Sequence, residues 1–308
     1  MNKNTQTHLI LPVGTRVVTR IDDLNSAGNV ARAAGAVGEI VKAPVDAEHS
    51  YRVAFGDGGE AAYKRGQLSI LKQFKDEAMD GSGSSEEIDY TRFIIYRCVV
   101  GSRAFGLDNE ESDTDRRGIF LPPAELQWSL RGVPEQLEND VEQECYWELQ
   151  KFIALALKAN PNILECLYSP MVETATPLAE ELLGMRDIFL SKMVYQTFNG
   201  YVMSQFKKLE QDLRTKGAIK WKHAMHLIRL QLSGEQALRD GFVPVDVGPH
   251  RDRLLAIRKG EVSWEDVNAW RLELHGRMDA AFASTKLPDR PDYERANAFL
   301  VKARRAMV

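Results

Sequence analysis

Asp113 and Asp115 stand one residue apart in the acidic run DNEESDTD, a short stretch beyond the dipeptide Gly101-Ser102. On an extended strand alternate side chains project from the same face, so both carboxylates can converge on one point. Two carboxylates that close repel each other unless a cation lies between them, and their hard oxygens suit Mg2+ or Mn2+. A pair of such ions about 3.5–4 Å apart clamps the attacking and leaving oxygens of an in-line displacement at phosphorus. Gly101 lets the backbone turn tightly, Ser102 adds a hydroxyl donor, and the free amides of a helix starting there would face a phosphate chain.

A third carboxylate is wanted on a neighbouring strand. In NDVEQECYW, Asp140, Glu142 and Glu144 alternate onto one face; Glu144 abuts the apolar CYW and is favoured, with Glu142 next. Arg103, Arg116 and Arg117 flank the aspartates, and guanidinium binds phosphate through paired donors. Their bland alternative is pairing with Asp108, Glu110 and Glu111. In WKHAMHLIRL, Lys222, His226 and Arg229 fall on one helical stripe, a phosphate-contacting row or an ordinary solvated face. His223 and His226 lack a third ligand at zinc spacing. GDGGEAAYKRG has no helix after it, so it reads as a hairpin and not as a phosphate loop.

The elements that must position these residues follow from periodicity. RFIIYRCVV, residues 92 to 100, is a buried strand that delivers Gly101-Ser102, and GIFLPP continues a second strand out of the acidic run. WELQKFIALALKA has helical spacing, Pro161 bars its continuation, and Asn160 or Asn162 caps the next helix. Residues 177 to 308 carry further amphipathic helices, one with Ser263 as N-cap. Upstream, VGTRVVTRI, AVGEIVKAPV, SYRVAF and QLSILKQ are short β-branched runs, and Asp57-Gly58 marks a hairpin. FKDEAMDGSGSSEEID has linker composition.

The resulting division is a β module over residues 1–73, a linker over 74–89, a catalytic domain over 90–176 and a helical domain over 177–308. The chain has 308 residues, room for two or three domains. Its net charge of -4 gives no overall pull toward nucleic acid. Cys98, Cys145 and Cys166 show no CxxC spacing and suggest buried thiols in a reducing compartment. The N-terminal apolar stretch is too short for a signal core or a membrane span, so the expectation is a cytoplasmic protein without a membrane partner. Nothing in the sequence fixes an oligomeric state.

Gly101-Ser102 followed by Asp113-Thr114-Asp115 resembles the signature of the DNA polymerase beta nucleotidyltransferase superfamily. The longer string GSRAFGLDNEESDTDRRGIFLPP, with YWELQKFIALALKANPNILECLYSP after it, looks like the predicted nucleotidyltransferases associated with RNA repair pathways. The likeness is dense over residues 92 to 170 and looser through KHAMHLIRL and LLAIRKGEVSWEDV. It implies an α+β fold: a mixed sheet backed by helices, with a helical C-terminal region. It also implies metal-dependent transfer of an NMP, AMP first among them, from an NTP to a hydroxyl, with an RNA end the favoured acceptor and pyrophosphate released. In that scheme Asp113, Asp115 and Glu144 hold Mg2+ or Mn2+, and Gly101, Ser102, Arg103, Arg117, Lys222, His226 and Arg229 bind the nucleotide. The N-terminal module resembles SH3-like barrels of the KOW and Tudor type, and Arg16, Arg20, Arg52, Lys64 and Arg65 are its candidate RNA contacts. The competing expectation is a non-catalytic adaptor that senses nucleotide or binds RNA or protein on a transferase fold.

Overall fold

The computed structural model describes residues 11–24, 30–44, 49–72, 74–75 and 88–308, so most of the expected linker lies outside the described residues. The chain forms two compact units, Met1–Glu87 and Ile88–Val308.

In the first unit, strands β1 (Arg16–Thr19), β4 (Val37–Lys42), β5 (Tyr51–Phe55), β6 (Glu60–Tyr63) and β7 (Leu68–Ile70) form one antiparallel sheet in the order β6-β5-β4-β1-β7. A separate pair joins β2 (Asp23–Leu24) to β3 (Val30–Arg32). β5 alternates buried and exposed residues, and its inward Tyr51, Val53 and Phe55 join Val17, Ile40, Tyr63 and Leu68 in a small core. The expected hairpin is present: β5 and β6 pair across Asp57-Gly58, where Gly58 takes φ +80°. β6 and β7 end the order without pairing to each other, so the sheet is open and not a closed barrel.

The second unit is built on a mixed sheet in the order β10-β11-β9-β8-β12, comprising β8 (Ile94–Val100), β9 (Asp115–Phe120), β10 (Gln136–Asn139), β11 (Glu144–Glu148) and β12 (Val172–Ala175). Only β9 and β11 run parallel; the other pairs are antiparallel. Gly118 permits the closest approach in this sheet, since a Cβ there would stand 1.9 Å from the Tyr96 carbonyl oxygen. The first two residues of the run expected as strand, Arg92 and Phe93, instead close a 3-10 turn, Tyr90–Phe93, capped by Asp89.

Helices Leu149–Ala156 and Pro161–Tyr168 back the sheet; the first starts two residues later than the helical spacing suggests, because Trp147 and Glu148 end β11 and Glu148 caps the helix. Asn160 is the cap that starts the second: its side chain accepts from the Asn162 amide, and Pro161 sits where no amide donor is needed. Long helices follow at Met193–Lys216, Trp221–Asp240 and Trp264–Ser284, the last capped by Ser263 as expected. One hydrophobic core runs from Ile95 to Ala303 and joins sheet and helices, with no break at residue 176. All three cysteines are buried in it. Among the described residues no helix is long and apolar enough to cross a membrane.

Candidate active site

β8 ends at Val100 and the chain turns at Gly101, φ +70°, into the short Gly101–Ala104 helix. Val100 faces Asp115 across the β8–β9 ladder, which sets the turn directly over the first residue of β9. A Cβ on Gly101 would stand 2.3 Å from Asp115 Oδ2. Glycine is therefore required twice here, once by its dihedral and once by the carboxylate packed against it.

The turn is braced from distant helices. Arg258 donates to the Leu107 carbonyl at 2.9 Å, Arg251 to the Gly106 carbonyl at 2.7 Å, and the Val247 amide to the Phe105 carbonyl at 3.1 Å. Arg103 donates to the Ser112 carbonyl at 2.7 Å and so tethers the acidic loop. This is a positioning contact; Arg103 does not line the cleft that opens beside the turn.

That cleft encloses about 570 Å³ between the sheet and the Trp221–Asp240 helix. Gly101, Ser102, Asp115, Arg117, Lys222, His226 and Arg229 all line it, seven of the residues the sequence singles out. Asp113 and Glu144 do not. β9 begins only at Asp115, so Asp113 lies in the irregular segment before it, exposed to solvent, and the expected two-residue strand register is not formed. Glu144 pairs in register with Arg116, the neighbour of Asp115. In-register partners share a face while adjacent residues face opposite ways, so Glu144 lies on the side of the sheet away from Asp115. That register corrects the expectation that Glu144 joins the aspartates. Arg116 takes the bland alternative, though with a different acid: its Nε binds Glu173 at 2.9 and 3.2 Å, which raises the guanidinium pKa.

Asp115 has Arg117 at 3.7 Å as its ion-pair partner, and Ser102 Oγ makes no hydrogen bond among the described residues. Arg117 is itself held by donation to the Arg116 and Gln143 carbonyls. Opposite, Lys220 and Lys222 form no ion pair among the described residues. The lining carries five cationic side chains, Arg117, Lys220, Lys222, Arg229 and Arg258, against the two carboxylates of Asp115 and Glu165, a field that suits a polyanion. Lys220, Arg258 and Glu165 were not singled out from the sequence, while His223 was weighed there only as a zinc ligand and Asn162 only as a helix cap. Arg258 and Glu165 do lie in the segments LLAIRKGEVSWEDV and NILECLYSP that carry the resemblance.

The Lys222, His226 and Arg229 stripe is buried at one end. Arg229 donates to Glu165 Oε1 at 2.7 Å with side-chain exposures of 2% and 5%, and its guanidinium lies 3.6 Å over the Phe105 ring. Burial, then the neighbouring Arg229, His223 and Lys222, push the His226 pKa down to about 3, so the imidazole is neutral. His223 is also lowered, by burial and then by Lys220 and Lys208.

A mixed sheet backed by helices, with a Gly-Ser turn at one strand exit and an aspartate opening the next strand, fits a polymerase-beta-like fold. The chain belongs to the RNA repair pathway DNA polymerase beta family, whose profile matches residues 72–302. It is 38% identical over 104 residues to the uncharacterized protein YcgL of Bacillus subtilis, covering 32% of this chain and 40% of that protein. It is 24% identical over 163 residues to the uncharacterized protein MJ0002 of Methanocaldococcus jannaschii, covering 51% of this chain and 65% of that protein. The chain thus spans less than two thirds of either relative's length.

Proposed function

We propose that the second unit is a metal-dependent nucleotidyltransferase that moves an NMP, AMP first among them, from an NTP to a hydroxyl, with an RNA end the favoured acceptor and pyrophosphate released. The observation that carries this reading is Gly101-Ser102 seated on the Asp115 carboxylate at the edge of a cleft whose opposite wall is cationic. The Ser102 hydroxyl is unengaged and can donate to the phosphates that leave. Arg117, Lys220, Lys222 and Arg258 neutralise the triphosphate, most effectively once water is excluded. Bracing of the turn by Arg251 and Arg258 fixes where the phosphorus sits relative to Asp115, and such positioning is itself a large part of rate enhancement.

Asp115 and Asp113 are the residues that would hold Mg2+ or Mn2+. Two carboxylates with solvent access fit such an ion, which keeps waters and takes its other ligands from substrate phosphates. When bound, it supplies charge stabilisation at the phosphoryl oxygens. A group of three or more His, Cys, Asp or Glu placed to hold a metal is absent among the described residues. The second reading is an adaptor that binds nucleotide without turning it over. For the first unit the proposal is an SH3-like module that contacts RNA through Arg16, Arg52 and their neighbours.

The test is incubation of the full chain with each labelled NTP, Mg2+ or Mn2+, and RNA, with pyrophosphate release followed. Transfer should fall at least about 10²-fold in Asp113→Asn and in Asp115→Asn with the melting temperature unchanged. Near wild-type turnover in both variants removes this mechanism. Nucleotide binding without turnover on any acceptor selects the adaptor.

A further inference from the structure

The cleft is chemically polarised. Lys220, Lys222 and Arg117 make one part cationic, whereas Val100, Phe105, Leu107 and Met225 make an apolar wall, each 9% exposed or less. The Glu165–Arg229 pair belongs to the apolar part, because the Arg229 guanidinium carbon stands 3.6 Å over the centre of the Phe105 ring. It brings no net charge there and offers a phosphate little that Lys220 and Lys222 do not.

The pair is also incomplete. Arg229 Nη2 donates to Glu165 Oε1 and stands 3.4 Å from His226 Nδ1, but Nε and Nη1 are buried without an acceptor among the described residues. Glu165 Oε2 accepts no hydrogen bond among the described residues. Leaving a buried donor unpaired is costly, the more so for a charged group, so a ligand that satisfies these atoms recovers that cost. A carboxylate only accepts and a guanidinium only donates. Their complement is an edge with a donor beside an acceptor, set on a flat apolar body that fits the Phe105 side of the cleft.

Adenine presents such an edge through its 6-amino group and N7. We propose that Glu165 and Arg229 are the base-reading pair of this cleft, Glu165 accepting from the adenine 6-amino group and Arg229 donating to the adjacent ring nitrogen; the proposal rests on the nucleotidyltransferase reading above. Hypoxanthine carries a keto oxygen in place of the amino group and sets an acceptor against the Glu165 carboxylate. A purely structural ion pair would not distinguish these two bases.

The experiment measures binding of ATP and of ITP, each with Mg2+, to the full chain by calorimetry. Wild type should prefer ATP by at least about tenfold. Glu165→Met alone would strand the buried Arg229 charge, so the informative variant is the double Glu165→Met/Arg229→Met, because an apolar pair of similar volume can replace a buried ion pair without loss of stability. With its melting temperature retained, the double variant should bind both nucleotides equally. Equal binding by wild type, a preference for ITP, or an unchanged ATP preference in the double variant overturns the base-reading role and leaves the transferase reading standing. Failure of wild type to bind either nucleotide overturns both.

Discussion

The two walls of the cleft solve opposite electrostatic problems. On the sheet wall, Asp115 is partly open to water and is placed by steric fit: Gly101 leaves the space its carboxylate occupies, and the β8–β9 ladder fixes the height. On the helix wall, Arg229 and Glu165 are almost fully buried, and pairing offsets a desolvation cost of several kcal/mol per ion. An open carboxylate can exchange water for a cation and phosphate as substrates come and go. A buried pair cannot, and its fixed donors and acceptors suit recognition of a rigid group. On the proposed reading, chemistry belongs to the sheet wall and selectivity to the helix wall.

The largest expected effect that would break this contrast is on the sheet side. Gly101→Ala places a methyl group against the Asp115 carboxylate at a dihedral that costs an L-residue roughly 1–2 kcal/mol. Transfer should fall about 10²-fold, because displacement of the turn moves the phosphorus relative to Asp115. A variant with wild-type kinetics would show that the turn does not set the reacting geometry.

A smaller effect sharpens the helix side. His226 titrates near 6.5 when unfolded and near 3 when folded, so between those values the unfolded chain binds more protons. Its contribution to stability is complete above about pH 6.5 and is lost as pH falls toward about 3. Denaturation midpoints of wild type and His226→Asn at pH 7 and pH 4.5 should therefore converge or cross at the lower pH. A gap that is the same at both values would mean that His226 is not desolvated as described.

The smallest effect tests the register. Glu144→Gln should leave transfer within about a factor of two, because Glu144 lies beside Arg116 on the far face of the sheet. A loss as deep as that of Asp115→Asn would put Glu144 back in the site and require the β9–β11 register to shift by one residue.

By itself the sequence determined the local features. The apolar run before Gly101, the acidic pair after it, the Asn160-Pro161 helix start and the Ser263 cap all depend on interactions among near neighbours, and these leave a period or a residue type in the chain. It also determined the face of the helix that meets the cleft, since Lys222, His226 and Arg229 share one stripe. Tertiary structure alone decided the rest. Glu144 and Glu142 could not be judged from alternation, because a slip of one residue against β9 exchanges the faces of the whole strand. Arg116 found Glu173 across the sheet and not the acids beside it in sequence. Arg229 reads as a phosphate contact or a solvated cation until Glu165, 64 residues earlier, is brought within 2.7 Å by the packing of two helices. Arg258 reaches the Leu107 carbonyl across 151 residues. Contacts of that kind leave no local pattern, because their free energy resides in burial and pairing that exist only after the chain has folded.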